Sequence, residues 1–264
     1  MFKKLDKRLI MDYEVLAVSD LRIGGHGSTA PGEVDNPVIK NSKDYPIIPG
    51  SSLKGVLRTE TEKLLRTIIG EENVCTPDEL CKSKKSGRTE ECPVCLLFGG
   101  AEMAGSIRIR DAITDSPKTY IRDGVEIDRK TRKAATGRYY DIEVVPSGTV
   151  FKGEIMIENP DLKGNKYAKL GALLSTIRFF NATSKTLGGA VSRGFGEVLI
   201  MPTKIREFTP NDYLNGKYEG KDKWKSDKGI EEMKEDLKQG KLELNTEIED
   251  GIKNWKNYVY QLKK

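Results

Sequence analysis

Four cysteines lie close together in the sequence, and their spacing is typical of a metal site. They follow the pattern Cys75-x5-Cys81-x10-Cys92-Pro93-Val94-Cys95. A Cys-x2-Cys knuckle lets two thiolates hold one tetrahedral ion, and a second pair completes a site of four thiolates. The surrounding segment is rich in lysine and poor in apolar residues, so a metal would supply the order that a core does not. We therefore predict structural zinc, the alternative being free thiols in a loop.

A long loop between residues 26 and 45 carries a second set of reactive side chains. It holds the single histidine of the chain, His26, and an acidic pair, Glu33 and Asp35, among several glycines and prolines. Long loops ahead of a binding site are often functional. One histidine alone excludes an acid–base pair of two histidines, and His26 is more typical of a loop or phosphate-contacting residue than of a general base.

The loop leads into a predicted helix whose first turn is a candidate anion site. Pro49-Gly50 forms a turn, and Ser51 or Ser52 is expected to cap the helix. Unpaired N–H groups at the positive end of the helix dipole attract anions, and Lys54 and Arg58, four residues apart, add two cations on one face. An ordinary capped helix with surface cations is the alternative.

A glycine-rich stretch from Leu187 to Val198 is a second candidate anion site. Glycines allow backbone amides to approach a phosphate closely, and an arginine offers a planar charged fork. The stretch is neither a Walker loop nor a dinucleotide-binding motif, because it follows a helix and precedes a strand. We expect it to bind an anion rather than to form a plain turn. Its candidate residues are Gly188, Gly189, Arg193, Gly194 and Gly196.

Residues 114–148 are charged and weakly periodic, which indicates a projecting hairpin or arm. Arg129 and four further cations precede Tyr139-Tyr140. Basic residues beside aromatic rings suit phosphates and unstacked bases. A solvated insertion that binds no ligand is the alternative.

Periodicity predicts the elements that must position these residues. Alternation indicates strands at residues 11–17, 107–110, 151–157 and 198–201. Helical spacing indicates helices from Leu53 to a stop at Gly70 and over residues 165–181. The sequence turns polar from Thr209, with residues 221–228 as a predicted linker. A final amphipathic helix carries Ile248, Ile252, Trp255, Val259 and Leu262. We expect this helix to dock on its own chain, the alternative being a partner protein.

The composition fits one elaborated domain and is compatible with a polyanionic partner. The 264 residues carry a net charge of +5, from Lys+Arg 45 against Asp+Glu 40, which permits a nucleic-acid partner without requiring one. No apolar run is long enough to span a membrane, and the N-terminus lacks the apolar stretch of a secretory signal. We expect a soluble, cytoplasmic protein that has no membrane partner and keeps its cysteines reduced.

The order strand, helix, strand, strand, helix, glycine loop, strand is that of an α+β, ferredoxin-like βαββαβ sheet, the fold of RNA-recognition motifs. In addition, the chain resembles the RAMP superfamily, and more closely the backbone subunit of type III-A (Csm) CRISPR effector complexes. The residues that carry the resemblance are Ile23-Gly24-Gly25, Val34 to Lys40, Ile47 to Gly55, Leu97-Phe98-Gly99, Ile127-Asp128-Arg129, Gly188-Gly189 and Ser192 to Gly196.

The resemblance implies a core over residues 1–208 with three insertions, followed by an extension at 209–264. The insertions are the 26–45 loop, the Cys-rich segment at 70–98 and a projecting thumb at 114–148. It also implies that several copies and other subunits assemble along a CRISPR RNA, with target single-stranded RNA paired opposite. In that assembly Ser51, Ser52, Lys54, Arg58 and the glycine loop would hold the guide backbone, and Arg129 would lie in the thumb.

The same resemblance implies that Asp35 is needed for metal-dependent cleavage of target RNA by the assembled complex, with Mg²⁺ or Mn²⁺. Attack by the ribose 2′-hydroxyl on the adjacent phosphate needs in-line geometry more than an array of protein acids. Two other functions remain open. One is a structural RNA-binding subunit in which Asp35 only shapes its loop, and the other is a guide-processing ribonuclease that uses His26 as general base and cuts in EDTA.

Overall fold

Strand β1 (Arg8–Ala17) lies between two other strands of the sheet, and its alternating burial confirms the half-buried strand predicted at residues 11–17. Leu9, Met11, Tyr13 and Val15 are buried, while the residues between them are partly exposed. Every second side chain of a strand points to the same face, so one face of β1 packs against the core. The computed structural model describes residues 4–25, 34–76, 92–101 and 103–263. His26, Glu33 and Cys81 lie outside this described part.

Six strands form a continuous antiparallel path, and a seventh pairs at its side. The path runs β2 (Ile47–Ile48), β4 (Ala112–Ile113), β7 (Val150–Glu158), β1, β8 (Val198–Phe208) and β9 (Lys221–Lys225), and β3 (Ile107–Ile109) also pairs with β7. The two longest ladders join β1 to β7 and β1 to β8. The protein is therefore a mixed α and β fold built on antiparallel sheets. Strands β7 and β8 extend beyond the predicted limits, as does β1.

Helix α1 (Gly50–Ile69) ends before Gly70 as predicted, but its start differs from the prediction. Pro49 occupies the N-cap position, and no side chain caps the helix. Ser51 and Ser52 lie inside the first turn, so the prediction that one of them is the N-cap is wrong. The helix starts earlier because the Gly50 N–H bonds the Asp111 carboxylate at 2.8 Å. A Cβ at position 50 would collide with the Ile109 carbonyl, so this start requires glycine.

One long helix packs between the sheet and the final helix of the chain. Helix α3 (Ala168–Thr183) is buried around most of its circumference, because the sheet lies on one side and α6 (Thr246–Leu262) on the other. Backbones approach closely where Gly171 meets Gly251. Trp255 and Val259 of α6 belong to the main core. The final helix therefore packs on its own chain, as expected.

The segment between β8 and α6 contains more structure than the sequence predicted. Residues 221–228 were expected to be a linker, but 221–225 form β9, so this prediction is wrong. The strand lies at an edge of the sheet, where lysines can point to water while the backbone pairs with β8. Trp224, opposite Ile205, packs against the core. Two short helices, α4 (Pro210–Leu214) and α5 (Lys234–Lys238), flank the strand.

The predicted arm is a hairpin of β5 (Tyr120–Ile127) and β6 (Ala134–Val144), which form a separate two-stranded sheet. Its apolar side chains Ile121, Val125, Ile127 and Tyr139 are all exposed. Its base packs through a small cluster of Ile142, Val144 and Phe195. The Cys-rich segment contains a 3-10 turn (Glu71–Asn73) and helix α2 (Pro93–Phe98) in its described part. None of the helices in the described ranges is long and apolar enough to cross a membrane.

Candidate functional site

The backbone around Asp35 docks along strand β6, at the base of the hairpin. The Asn36 N–H donates to the Asp141 carbonyl at 3.1 Å, and the Glu143 N–H donates to the Asn36 carbonyl at 3.0 Å. One oxygen of the exposed Asp35 carboxylate accepts the Asp141 N–H at 3.1 Å. Pairing with β6 thus fixes Asp35 at the hairpin base and directs its carboxylate towards solvent.

A buried carboxylate fastens the rest of this loop. Glu143 accepts hydrogen bonds from Val38 N–H at 3.0 Å, Lys40 Nζ at 2.7 Å and Thr119 Oγ1 at 2.7 Å. Burial by itself raises the pKa of Glu143, but the bonds from Lys40, Thr119 and Val38 outweigh it and lower the pKa. Residues 38–40 and both ends of the hairpin are therefore joined through one ionised side chain.

Arg22 connects the Asp35 loop to the glycine-rich loop. Its Nη2 donates to Asn36 Oδ1 at 3.0 Å, and its carbonyl accepts the Gly189 N–H at 2.8 Å. The guanidinium lies so close to the backbone that a Cβ on either Gly24 or Gly189 would come within 3.1 Å of it. Sequence reasoning missed Arg22, although it directly precedes the Ile23-Gly24-Gly25 motif.

The glycines of the second loop meet steric demands of the fold. Gly188 and Gly196 have φ of 88° and 79°, and a Cβ on either would collide with a carbonyl, of Arg22 and Leu187 respectively. The N–H groups of Gly189, Gly194 and Gly196 bond to carbonyls of this chain. The prediction that four glycines bring free amides to a phosphate is therefore wrong for these three amides. The backbone conformation and the close carbonyl contacts by themselves explain why Gly188 and Gly196 are glycines.

Arg193 is the one residue of this loop that presents a charged side chain to solvent beside the hairpin. Its Nη1 donates to the Tyr140 hydroxyl at 2.6 Å, and its guanidinium lies 5.9 Å from the centre of that ring. A planar cation and an aromatic ring side by side can receive a phosphate and an unstacked base. Arg129 lies further out, exposed in the turn at the hairpin tip.

The first turn of α1 provides one cation rather than two. Arg58 Nε donates to Glu62 at 2.8 Å and its Nη1 to the Gly99 carbonyl at 2.8 Å, and only 15% of its side chain is exposed. The prediction that Arg58 presents a free cation beside Lys54 is thus wrong. Lys54 is half-buried, and its pKa is lowered by this burial and by repulsion from Arg58 and Arg108. An anion would relieve that repulsion.

Three of the four cysteines meet in the described part of the Cys-rich segment. Cys75, Cys92 and Cys95 are buried, and their sulfur atoms lie within 4.8 Å of one another. Cys92 Sγ accepts the Cys75 N–H at 3.4 Å. The contact with the Cys95 side chain lowers the pKa of Cys92 most, and the backbone N–H groups of Cys75, Cys95 and Val94 lower it further. The group can hold a metal ion.

These features are consistent with one protein class. Residues 14–198 match the model of the RAMP superfamily. The match spans more than half of the chain, so the protein belongs to the RAMP superfamily, and the resemblance stated from sequence is confirmed.

Three similar proteins carry the same name, CRISPR system Cms endoribonuclease Csm3. That of Methanothermobacter thermautotrophicus is 28% identical over 229 residues, which cover 81% of this chain and 91% of the relative. That of Methanocaldococcus jannaschii is 25% identical over 253 residues, covering 88% and 94%. That of Streptococcus thermophilus is 29% identical over 193 residues, covering 70% and 83%.

The Glu143 contacts predict a stability effect that depends on pH. Glu143→Gln should lower the free energy of unfolding by about 1–3 kcal/mol at pH 7, because Lys40 loses the nearer of its two carboxylate partners, at 2.7 Å, and keeps only Asp44 at 3.5 Å. A lowered folded-state pKa gives stability that is present above the unfolded pKa of about 4.3 and is lost as pH falls through the folded value. Denaturant titration should therefore show the difference between wild type and variant shrinking below about pH 4.

Glu126→Gln is the matched control, since Glu126 pairs with Arg138 on the exposed part of the same hairpin. This variant should unfold like the wild type. A Glu143→Gln difference of equal size at pH 7 and pH 3.5 would show that the charge of Glu143 is not what fastens the loop.

Proposed function

We propose that this protein is the guide-RNA-binding backbone subunit of a type III CRISPR interference complex. In this proposal several copies form a filament along the CRISPR RNA with other subunits of the complex, and the assembly cleaves paired target RNA in a metal-dependent way. The support is twofold. Relatives called CRISPR endoribonucleases align over most of the chain, and the predicted catalytic Asp35 is held at the base of a projecting hairpin.

The strand order supports a ferredoxin-like core. Strand β1 lies between β7 and β8, and β7 also pairs with the short strands β3 and β4. This order supports a βαββαβ sheet in which β3 and β4 together would take the place of the second strand. The insertions at 26–45, 70–98 and 114–148 then interrupt the core at its connections, and residues 209–264 extend it.

The charge distribution favours RNA binding at the hairpin base over binding on the open face of the sheet. On that face Arg206 pairs with Asp12 at 2.7 Å and with Glu154 at 3.3 Å, so the cation is already neutralised. RNA-recognition motifs stack bases on aromatic residues of this face. In this chain Asp12 is paired with Glu154 and Lys204 on the neighbouring strands, and none of these three residues is aromatic.

Lys54 and Arg193 are the strongest candidates for contacts with the guide backbone. Both carry positive charge near solvent, and Lys54 lies near two further cations, Arg58 and Arg108. Ser51, which is exposed, and Ser52 offer hydroxyl donors in the same helical turn. Arg129 would meet RNA from the hairpin tip. The glycine loop would contribute by placing Arg193 and Tyr140 together rather than through its bonded amides.

Cleavage in this proposal is an attack by the ribose 2′-oxygen on the neighbouring phosphorus. The O2′–P bond forms and the P–O5′ bond breaks, while the 2′-hydroxyl loses a proton and O5′ gains one. Mg²⁺ or Mn²⁺ bound with the phosphate would neutralise developing charge. Asp35 suits the task of holding such an ion, because Asp141 N–H binds one carboxylate oxygen and the other accepts no hydrogen bond from the residues that the structure describes. Mg²⁺ commonly uses one or two carboxylates together with substrate phosphate.

The cysteine cluster supports a structural zinc ion. Cys75, Cys92 and Cys95 supply three thiols at distances that suit a tetrahedral thiolate site. Cys81, outside the described residues, is the proposed fourth ligand. Four thiolates leave no open coordination position, so the ion would order the segment at 70–98 and take no part in cleavage.

Asp35→Asn should abolish cleavage by the assembled complex while leaving assembly and guide content unchanged. Asparagine has nearly the same shape and can still accept the Asp141 N–H, so the loop keeps its position, but it lacks the charge that holds a metal ion. The measurement is the single-turnover rate on a complementary target RNA with Mg²⁺, with EDTA as a second condition.

Asp44→Asn is the control, since Asp44 is an exposed carboxylate of the same loop and pairs only weakly with Lys40 at 3.5 Å. It should cleave at the wild-type rate. A wild-type rate for Asp35→Asn would favour the purely structural subunit, and cleavage of equal rate in EDTA would favour a ribonuclease that uses His26.

Zinc should be present at about one ion per chain in protein purified without chelator, as elemental analysis will show. Cys92→Ser should lower the melting temperature by several degrees, because the buried segment loses its organising ion. Guide-RNA affinity should change little. Less than about half an equivalent of zinc per chain would contradict the metal site.

A further inference from the structure

Arg22 is a half-buried cation that has no anionic partner within the described part of the chain. The ion pairs among the described residues do not include it, and its one side-chain acceptor is the neutral amide oxygen of Asn36. Its Nε is buried without a hydrogen-bond partner in the structure. A guanidinium withdrawn from water is unfavourable unless an anion or several acceptors compensate. Folding alone therefore gives little reason for a charged residue at this position.

Two glycines beside Arg22 leave room for its half-buried guanidinium. Gly24 and Gly189 lie against two of its nitrogens, where any larger residue would crowd them. Its position is fixed at both ends, since its carbonyl bonds Gly189 and its Nη2 bonds Asn36. Asn36 directly follows Asp35. The cation is thus held next to the loop that carries the proposed catalytic carboxylate.

Other arginines of the same region differ from Arg22 in this respect. Arg122 pairs with Asp20 at 3.0 Å and stacks on Phe195 at 4.8 Å. Arg206, on the open face of the sheet, pairs with two carboxylates. Both of these cations are paired with carboxylates, whereas no carboxylate among the described residues pairs with Arg22.

We propose that Arg22 binds a phosphate of the target RNA at the position where Asp35 acts. A planar guanidinium can hold two phosphate oxygens at once. It would orient the scissile phosphate and stabilise the charge that grows on its oxygens during the reaction. This inference rests on the proposed function, because it takes the RNA to lie along the Asp35 loop, and it adds a residue that touches the reacting phosphate.

Arg22→Gln tests this role by removing the charge. Glutamine is two bonds shorter than arginine, so the variant also loses the Nη2 bond to Asn36. The salt dependence of target binding is therefore the deciding measurement, because a merely structural role leaves the number of phosphate contacts, and hence the slope, unchanged. Arg22→Lys retains the charge but lacks the planar guanidinium that can hold two phosphate oxygens at once. Arg206→Gln is the control, because it removes an arginine that pairs with Asp12 and Glu154 and has no contact with the Asp35 loop among the described residues. All variants are prepared as assembled complexes with guide RNA.

Binding of target RNA is measured first, in complexes that also carry Asp35→Asn so that no target is cut. Each phosphate contact contributes about 0.7 to 0.9 to the slope of log affinity against log salt. Arg22→Gln should lower the slope by about this amount for every copy of the chain that meets the target. Arg22→Lys and Arg206→Gln should keep the slope.

Cleavage is measured next, in complexes with Asp35 intact. Arg22→Gln should cut roughly 100-fold more slowly at saturating target, by analogy with loss of one transition-state donor. Arg22→Lys should be intermediate, and Arg206→Gln unchanged. An unchanged salt slope for Arg22→Gln, or loss of guide RNA from that complex, would overturn the proposal. Absence of cleavage by the wild-type complex would overturn the proposed cleavage function, and the salt slope would still decide the role of Arg22.

Discussion

The pairing of Asn36 with strand β6 is the interaction on which the candidate site depends. Two backbone hydrogen bonds join residues that are more than 100 positions apart. They bring the loop that carries Asp35 to the base of the β5–β6 hairpin. A two-stranded hairpin has little stability by itself in water, so the loop also supports the hairpin that it docks against. Glu143 reinforces the same junction through three further bonds.

The Asp35 loop and the glycine loop, which have different proposed roles, are both held by Arg22. Arg22 contacts Asn36 on one side and Gly189 on the other. The glycine loop in turn places Arg193 on Tyr140 of β6. Displacement of either loop would therefore disturb the other. This arrangement explains why glycines are needed here: the backbone of Arg22 lies where a side chain on Gly188 would be.

The elements with strong periodicity could be predicted from the sequence, whereas the contacts between them could not. The alternation of β1 and the apolar spacing of α1 reflect burial of one face, which is visible in the local sequence. The roles of Arg22 and Glu143 depend on partners 14 to 105 residues away. Arg58 matched a local pattern of two cations, yet Glu62 and the Gly99 carbonyl engage it. Likewise, β9 forms because β8 offers an edge, which its lysine-rich sequence does not reveal.

The central claim is that target RNA meets this protein where the Asp35 loop joins the hairpin base. Photo-crosslinking tests it most directly, using an assembled complex with Asp35→Asn and a target RNA that carries 4-thiouridine at the cut position. Mass spectrometry of the digested complex identifies the attached peptides. The account predicts attachment within residues 34–40 or 139–141. Attachment only to the open face of the sheet, around Glu154 and Arg206, would contradict it.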